Sequence, residues 1–113
     1  MPDERIEKEM LIATDFDGVI RDAQGYPRSE EFWADPPVKD AIKAINQIIA
    51  HGHKVYILTA RTKKWHAQIA SYCERHGMMP VEVTNVKKDK TQLIIDDRAI
   101  RFTNWMDTVK YIL

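Results

Sequence analysis

Cysteine is nearly absent: Cys73 stands alone in the 113 residues, which excludes an internal disulfide and the oxidised scaffold of small secreted domains. An excess of charge of either sign is absent too. Lys plus Arg and Asp plus Glu number 17 each, so the formal net charge is zero and bulk charge indicates neither a nucleic acid nor a membrane surface as partner. No apolar run approaches the roughly 20 residues that cross a bilayer. The charged opening Met1 to Glu9 has no apolar core of the kind a secretory signal needs. The expectation is a protein without membrane contact in the reducing cytoplasm. Repeats, low-complexity tracts and linkers are missing, as is any ordered aromatic series for stacking single-stranded nucleic acid. What remains is a chain with 44% hydrophobic residues, enough for one core, read as a single domain over 1–113.

Short β-rich runs alternate with helical patterns, which predicts an α/β fold with a parallel sheet. Four strands are legible: Met10 to Thr14, Lys54 to Leu58, Val81 to Thr84 and Leu93 to Ile95. The last two are short and apolar, as interior strands of a parallel sheet tend to be. Helical spacing places Ile42, Ile45 and Ile49 on one face of Val38 to Ala50, with Gly52 at its exit. Thr62 to His76 carries Trp65, Ile69, Tyr72 and Cys73 on one stripe and stops at Gly77. Asn104 to Ile112 has Asn104 as N-cap and Trp105, Val109 and Ile112 facing inward. Arg21 to Asp35 shows no period and reads as a loop or small flap.

Residues with chemistry gather at the ends of these strands. Leu11 to Ile20 reads Leu-Ile-Ala-Thr-Asp-Phe-Asp-Gly-Val-Ile, an apolar strand that ends in Asp15 and Asp17 just before Gly18. Two carboxylates with an exposed carbonyl between them suit a hard cation such as magnesium. Thr59-Ala60-Arg61 leaves the second strand with a hydroxyl and a guanidinium able to hold a phosphate oxygen. Lys87-Lys88-Asp89-Lys90 supplies an ammonium, and Asp96-Asp97-Arg98 leaves the fourth strand with two more carboxylates. Each group alone has an ordinary structural reading as a cap, a turn or a solvated surface. Right-handed crossovers bring all four strand ends to one edge, where the groups converge.

Asp15-Phe16-Asp17-Gly18-Val19-Ile20, Thr59, the Lys87-Lys88 pair and Asp96-Asp97 resemble, in order and strand context, the four motifs of the haloacid dehalogenase superfamily. The resemblance spans nearly the whole chain. It implies a three-layer Rossmann-like sandwich with a short parallel sheet, and magnesium-dependent phosphoryl transfer through an aspartyl-phosphate. It implies Asp15 as nucleophile and Asp17 as general acid and base, with a pKa near working pH. Thr59 and a lysine would stabilise the transferring phosphoryl group. Asp15, Asp17, Asp96 and Asp97 would hold magnesium, and Gly18, Thr59, Ala60 and Arg61 would line the substrate. Counting back from Asp96 favours Lys88, and reading forward from Thr84-Asn85 favours Lys87, so both stand as candidates with Lys90 the outsider. An aspartate at position 17 resembles the phosphatases and phosphotransferases rather than the dehalogenases or transport ATPases. Val19 stands where the family more often has threonine.

About forty residues separate Asp17 from Thr59, and about thirty separate Thr59 from the lysines. The intervening elements consume both, leaving no room for a cap domain. An open site implies a large phosphorylated substrate, such as a nucleic-acid end or a phosphoprotein, or a lid borrowed from a second subunit, with a nucleotide as a further candidate substrate. Lysines and arginines from Arg61 to Arg101 would make its rim cationic. The leading expectation is a capless phosphomonoesterase. The alternatives are a nucleic-acid end-processing phosphatase and a non-catalytic metal-binding regulatory module on the same fold. Trp33, Trp65 and Trp105 read as core or flap anchors, His51 as a helix exit, and the Cys73 and His76 pair as too small for a zinc site.

Overall fold

The structure, a computed structural model, describes residues 8–23 and 31–113. Strands β1 (Leu11–Thr14), β2 (Lys54–Leu58), β3 (Val83–Thr84) and β4 (Leu93–Ile95) form one sheet in the order β3-β2-β1-β4, every pairing parallel. With helices α1 (Ala41–Ala50), α2 (His66–Arg75) and α3 (Trp105–Ile112) this is a small α/β fold, compatible with a Rossmann-like arrangement. The middle positions fall to β1 and β2, whose apolar residues Ile12, Ala13, Val55, Tyr56 and Ile57 are all buried. The expectation that the two short strands are interior is therefore corrected: β3 and β4 are the edges. β3 also starts later than expected. The Glu82 carbonyl accepts from the Ile57 N–H at 2.9 Å, but the regular ladder begins only at Val83.

Helix α1 begins at Ala41 rather than Val38 because Asp40 is left-handed, at φ 66°, and cannot continue a helical turn backwards. Its Ile45 is buried, with Ile42, Ile48 and Ile49 packed beside it, as the spacing predicts. His51 caps the exit, its ring nitrogen 2.8 Å from the Gln47 carbonyl, and Gly52 follows at φ 99°. A 3₁₀ turn over Lys63–Trp65 leads into α2, which buries Ile69, Tyr72 and Cys73. Burial pushes the Cys73 thiol up to about 12, so it stays protonated and acts as a core residue. Asn104 caps α3 as expected, its side-chain oxygen accepting from the Asp107 N–H at 2.9 Å.

Phe16, the residue between the two motif aspartates, is fully buried. It meets Phe32 and Tyr72 edge-on, with centroids 5.3 and 5.4 Å away, and Phe32 and Tyr72 meet at 5.9 Å. Each such pair contributes about 1 kcal/mol beyond area burial. Alternation along the chain then turns Asp15 and Asp17 away from this cluster, toward the rim. Phe32 comes from a 3₁₀ turn (Phe32–Ala34) near the end of the expected flap, whose residues 24–30 lie outside those described.

The inward face expected of α3 is not observed: Trp105, Val109 and Ile112 are exposed, and α3 makes no extensive contact with another element among the described residues. Periodicity specifies that a helix has an apolar face, not which surface covers it. Trp33 is exposed too, and Trp65 is partly buried against the core. No helix among the described residues is long and apolar enough to cross a membrane.

Candidate active site

Register explains why the expected residues meet. Thr14 is opposite Ile57 on one side and Ile95 on the other, and Leu58 is opposite Thr84. One step beyond the ladders, Asp15 lies beside Asp96, and its N–H donates to the Ile95 carbonyl at 2.9 Å. Thr59 emerges on the opposite flank, its N–H bonded to the Thr84 carbonyl at 2.9 Å. Asp15, Asp17, Thr59, Lys87, Asp96 and Asp97 all line one open cavity of about 740 Å³ at the carboxyl ends of the strands.

Asp15, Asp96 and Asp97 each offer a carboxylate oxygen within 4.8 Å of the others, a trio that could hold a cation. Desolvation by burial pushes the Asp15 carboxyl up to about 6. The Phe16 N–H, donating to Asp15 Oδ1 at 2.8 Å, opposes this, while the charges of Asp96, Asp97 and Asp17 add to it. Gly18 permits the close approach of Asp97. At φ 87° a Cβ on residue 18 would lie 2.3 Å from Asp97 Oδ2, so the backbone here stands where a side chain would displace that carboxylate.

Asp17 differs from its neighbours. Its carboxylate accepts from Arg61 Nε at 2.8 Å and Nη2 at 3.0 Å, and from Arg21 Nε at 2.7 Å. Burial alone would raise this carboxyl, but the Arg61 and then the Arg21 hydrogen bonds and charges outweigh it and hold it below the usual range. A pKa near working pH, as the family resemblance implies, is thus not the resting state. The Asp17 side chain also lies outside the trio of possible metal ligands. Arg61 is 4% exposed and stacks its guanidinium 4.7 Å from the Phe32 ring. Arg61, expected as a substrate contact, gives its fork to the partly buried Asp17 carboxylate.

The neighbouring lysines part company. Lys87 lines the cavity with Asn85. Lys88 turns away: its N–H donates to the Tyr56 hydroxyl at 3.0 Å, and its ammonium lies 2.9 Å from Glu82. Of the cationic rim expected from Arg61 to Arg101, Lys87 and Arg98 line this cavity. Ala60, expected beside the substrate, lines this cavity too.

No family model matches the chain, and neither does any curated protein. A solved structure does. It is that of a conserved protein from Bacteroides thetaiotaomicron, 21% identical, with a TM-score of 0.64 over 93% of this chain and 90% of the other. That likeness concerns the fold alone.

Three residues of the site were not expected from the sequence. Arg21 is fully buried and joins Asp17 to Asp35, whose Oδ2 lies 2.8 Å from Arg21 Nη1. Its spacing of four from Asp17 was the available signal, but it belongs to helices, and this segment is not one. Asp35 carried no signal at all. Asn85 was legible only as the residue that follows β3.

Proposed function

We propose that the chain is a magnesium-dependent phosphomonoester hydrolase of the haloacid dehalogenase type, a three-layer Rossmann-like sandwich without a cap, with Asp15 as nucleophile. The observation that carries this reading is the convergence of Asp15, Asp96 and Asp97 in one cavity with Thr59 and Lys87. The donor set fits magnesium: all three side chains offer hard oxygen atoms, and their mutual repulsion is relieved by a divalent cation. When bound there, the ion would offset the negative charge of carboxylates and phosphate.

The chain's own residues supply the rest. An Asp15 oxygen attacks phosphorus as the phosphorus–ester oxygen bond breaks, giving an acyl phosphate on Asp15 and an alcohol that takes its proton from Asp17. Water then attacks phosphorus, the Asp17 carboxylate accepts its proton, and phosphate and free Asp15 result. To donate in the first step Asp17 must release at least one of its two arginines, since both hold its ionised form. The Thr59 oxygen accepts from the Arg61 N–H at 3.1 Å, and its hydroxyl can still donate to a phosphoryl oxygen. Lys87 offers the ammonium.

The test is release of inorganic phosphate from nucleotides, sugar phosphates, phosphopeptides and end-phosphorylated oligonucleotides, with and without magnesium. Release from none of them ends the proposal, and a preference for oligonucleotides over free nucleotides selects the end-processing activity. Lys87→Ala is expected to reduce turnover about 10²- to 10³-fold, as loss of a transition-state donor does elsewhere. Lys88→Ala, which breaks an exposed ion pair worth well under about 1 kcal/mol, should leave turnover within about twofold. The opposite ranking would reverse the assignment of the two lysines. Gly18→Ala should weaken magnesium binding at least about tenfold by displacing Asp97, with about 1 kcal/mol of stability lost to the positive φ. Titration calorimetry reads the first effect and urea unfolding the second; unchanged affinity would remove Asp97 from the metal site.

A further inference from the structure

Of the fourteen large hydrophobic side chains exposed among the described residues, eleven fall between Leu93 and Leu113. They make two unsatisfied surfaces. Strands of a parallel sheet are normally covered on both faces, yet Leu93 and Ile95 on one side of β4 and Ile94 on the other are all exposed, Ile94 at 51%. Helix α3 has the complementary lack: Trp105, Val109 and Ile112 form a stripe at i, i+4 and i+7 that no element among the described residues covers extensively, with Trp105 71% exposed. Eight residues are too few for a helix to persist alone in water.

We propose that β4 and α3 form a twofold interface with a second copy of this chain, the helix stripe of each copy covering the exposed β4 of the other. Area argues for a stable association. Phe102, Trp105, Val109, Ile112 and Leu113 together with one face of β4 offer exposed apolar surface of about 700 Å² at ordinary side-chain areas, close to the roughly 800 Å² per partner of a standard interface. Monomers rarely leave patches of that size open. Self-association is the occupant the chemistry favours, because one segment carries both the uncovered sheet face and the helix able to cover it. Charge agrees. Asp96, Asp97 and Asp107 are balanced by Arg98, Arg101 and Lys110, so two identical patches do not repel, and no net charge selects an oppositely charged foreign partner. A twofold contact is also self-limiting, whereas a head-to-tail use of the same surfaces would build filaments. The inference does not rest on the proposed chemistry, although Ile94 also lines the cavity that holds Asp96 and Asp97.

Sedimentation equilibrium of the whole chain from about 1 to 100 µM tests it through mass action. The expected result is a species of twice the 13.2 kDa chain mass. Trp105→Glu and, separately, Ile94→Lys should raise its dissociation constant at least about tenfold with unchanged far-ultraviolet circular dichroism. Met79→Glu, at an exposed methionine outside the segment, should leave it intact. A monomer throughout that range would overturn the proposal, since α3 then folds onto its own chain or awaits a different protein. A dimer that neither Trp105→Glu nor Ile94→Lys weakens would overturn it equally.

Discussion

Asp15→Asn should abolish phosphate release, by roughly 10⁴-fold or more, because an amide cannot act as the nucleophile. The same substitution should make the metal-free protein more stable at neutral pH. Burial first, and then the charges of Asp96, Asp97 and Asp17, raise Asp15 from 3.8 to about 6, so the folded chain holds this proton more tightly than the unfolded one. Stability of the metal-free protein is therefore fullest below pH 4, declines as pH rises toward 6, and stays lower above it. Discounted for the solvent that still reaches the group, the loss is about 1–2 kcal/mol. Asparagine carries no charge and can keep the Phe16 N–H contact to its Oδ1, so the variant escapes the loss. Its melting temperature at pH 7 should exceed the wild type's by about 5 °C, and magnesium should stabilise it less. A variant that melts below the wild type at pH 7 without metal, or that retains turnover, would contradict the role given to Asp15.

The strand-end motifs were the legible part of this chain, because a parallel sheet converts sequence order into spatial adjacency. Once β1, β2 and β4 are in register, Asp15, Thr59 and Asp96 have nowhere to go but the same edge. The choice between Lys87 and Lys88 was not legible. One residue of offset sends a side chain to the other side of the backbone, and the Glu82 carboxylate and Tyr56 hydroxyl that claim Lys88 are tertiary partners. Arg61 shows the same limit: Thr-Ala-Arg advertises a guanidinium, but burial against Phe32 decides that it faces Asp17. The spacing of α3 predicted an apolar stripe correctly, and the error lay in assuming that the chain's own sheet covers it. Strand length misled in the other direction. Among the described residues β3 and β4 are short strands at the edges of the sheet, not deep in it.

Arg21→Met is expected to be the most destabilising of these substitutions, at about 3–5 kcal/mol, the loss typical when one partner of a buried ion pair is removed. Arg21 is fully buried, with Nε 2.7 Å from Asp17 and Nη1 2.8 Å from Asp35, and those carboxylates are only 17% and 14% exposed. Methionine fills much of the same volume but leaves both acids short of a compensating charge. Asp17 keeps Arg61, whereas Asp35 loses its tie to the strand-end motif, so the segment entering Phe32 should loosen with it. Against a total stability of about 5–15 kcal/mol the loss is large, and urea unfolding at pH 7 should show it directly. Arg21→Lys should recover less than half, since a single ammonium lacks the fork that spans two acids. The pH dependence separates electrostatics from packing. Asp17 is held below its ordinary value near 3.8, so its contribution is present above that pH and is lost as pH falls through the lower folded value. The gap between wild type and Arg21→Met should therefore narrow in acid. A gap that stays constant from pH 7 to about pH 3 would mean that Arg21 acts through its volume and not its charge.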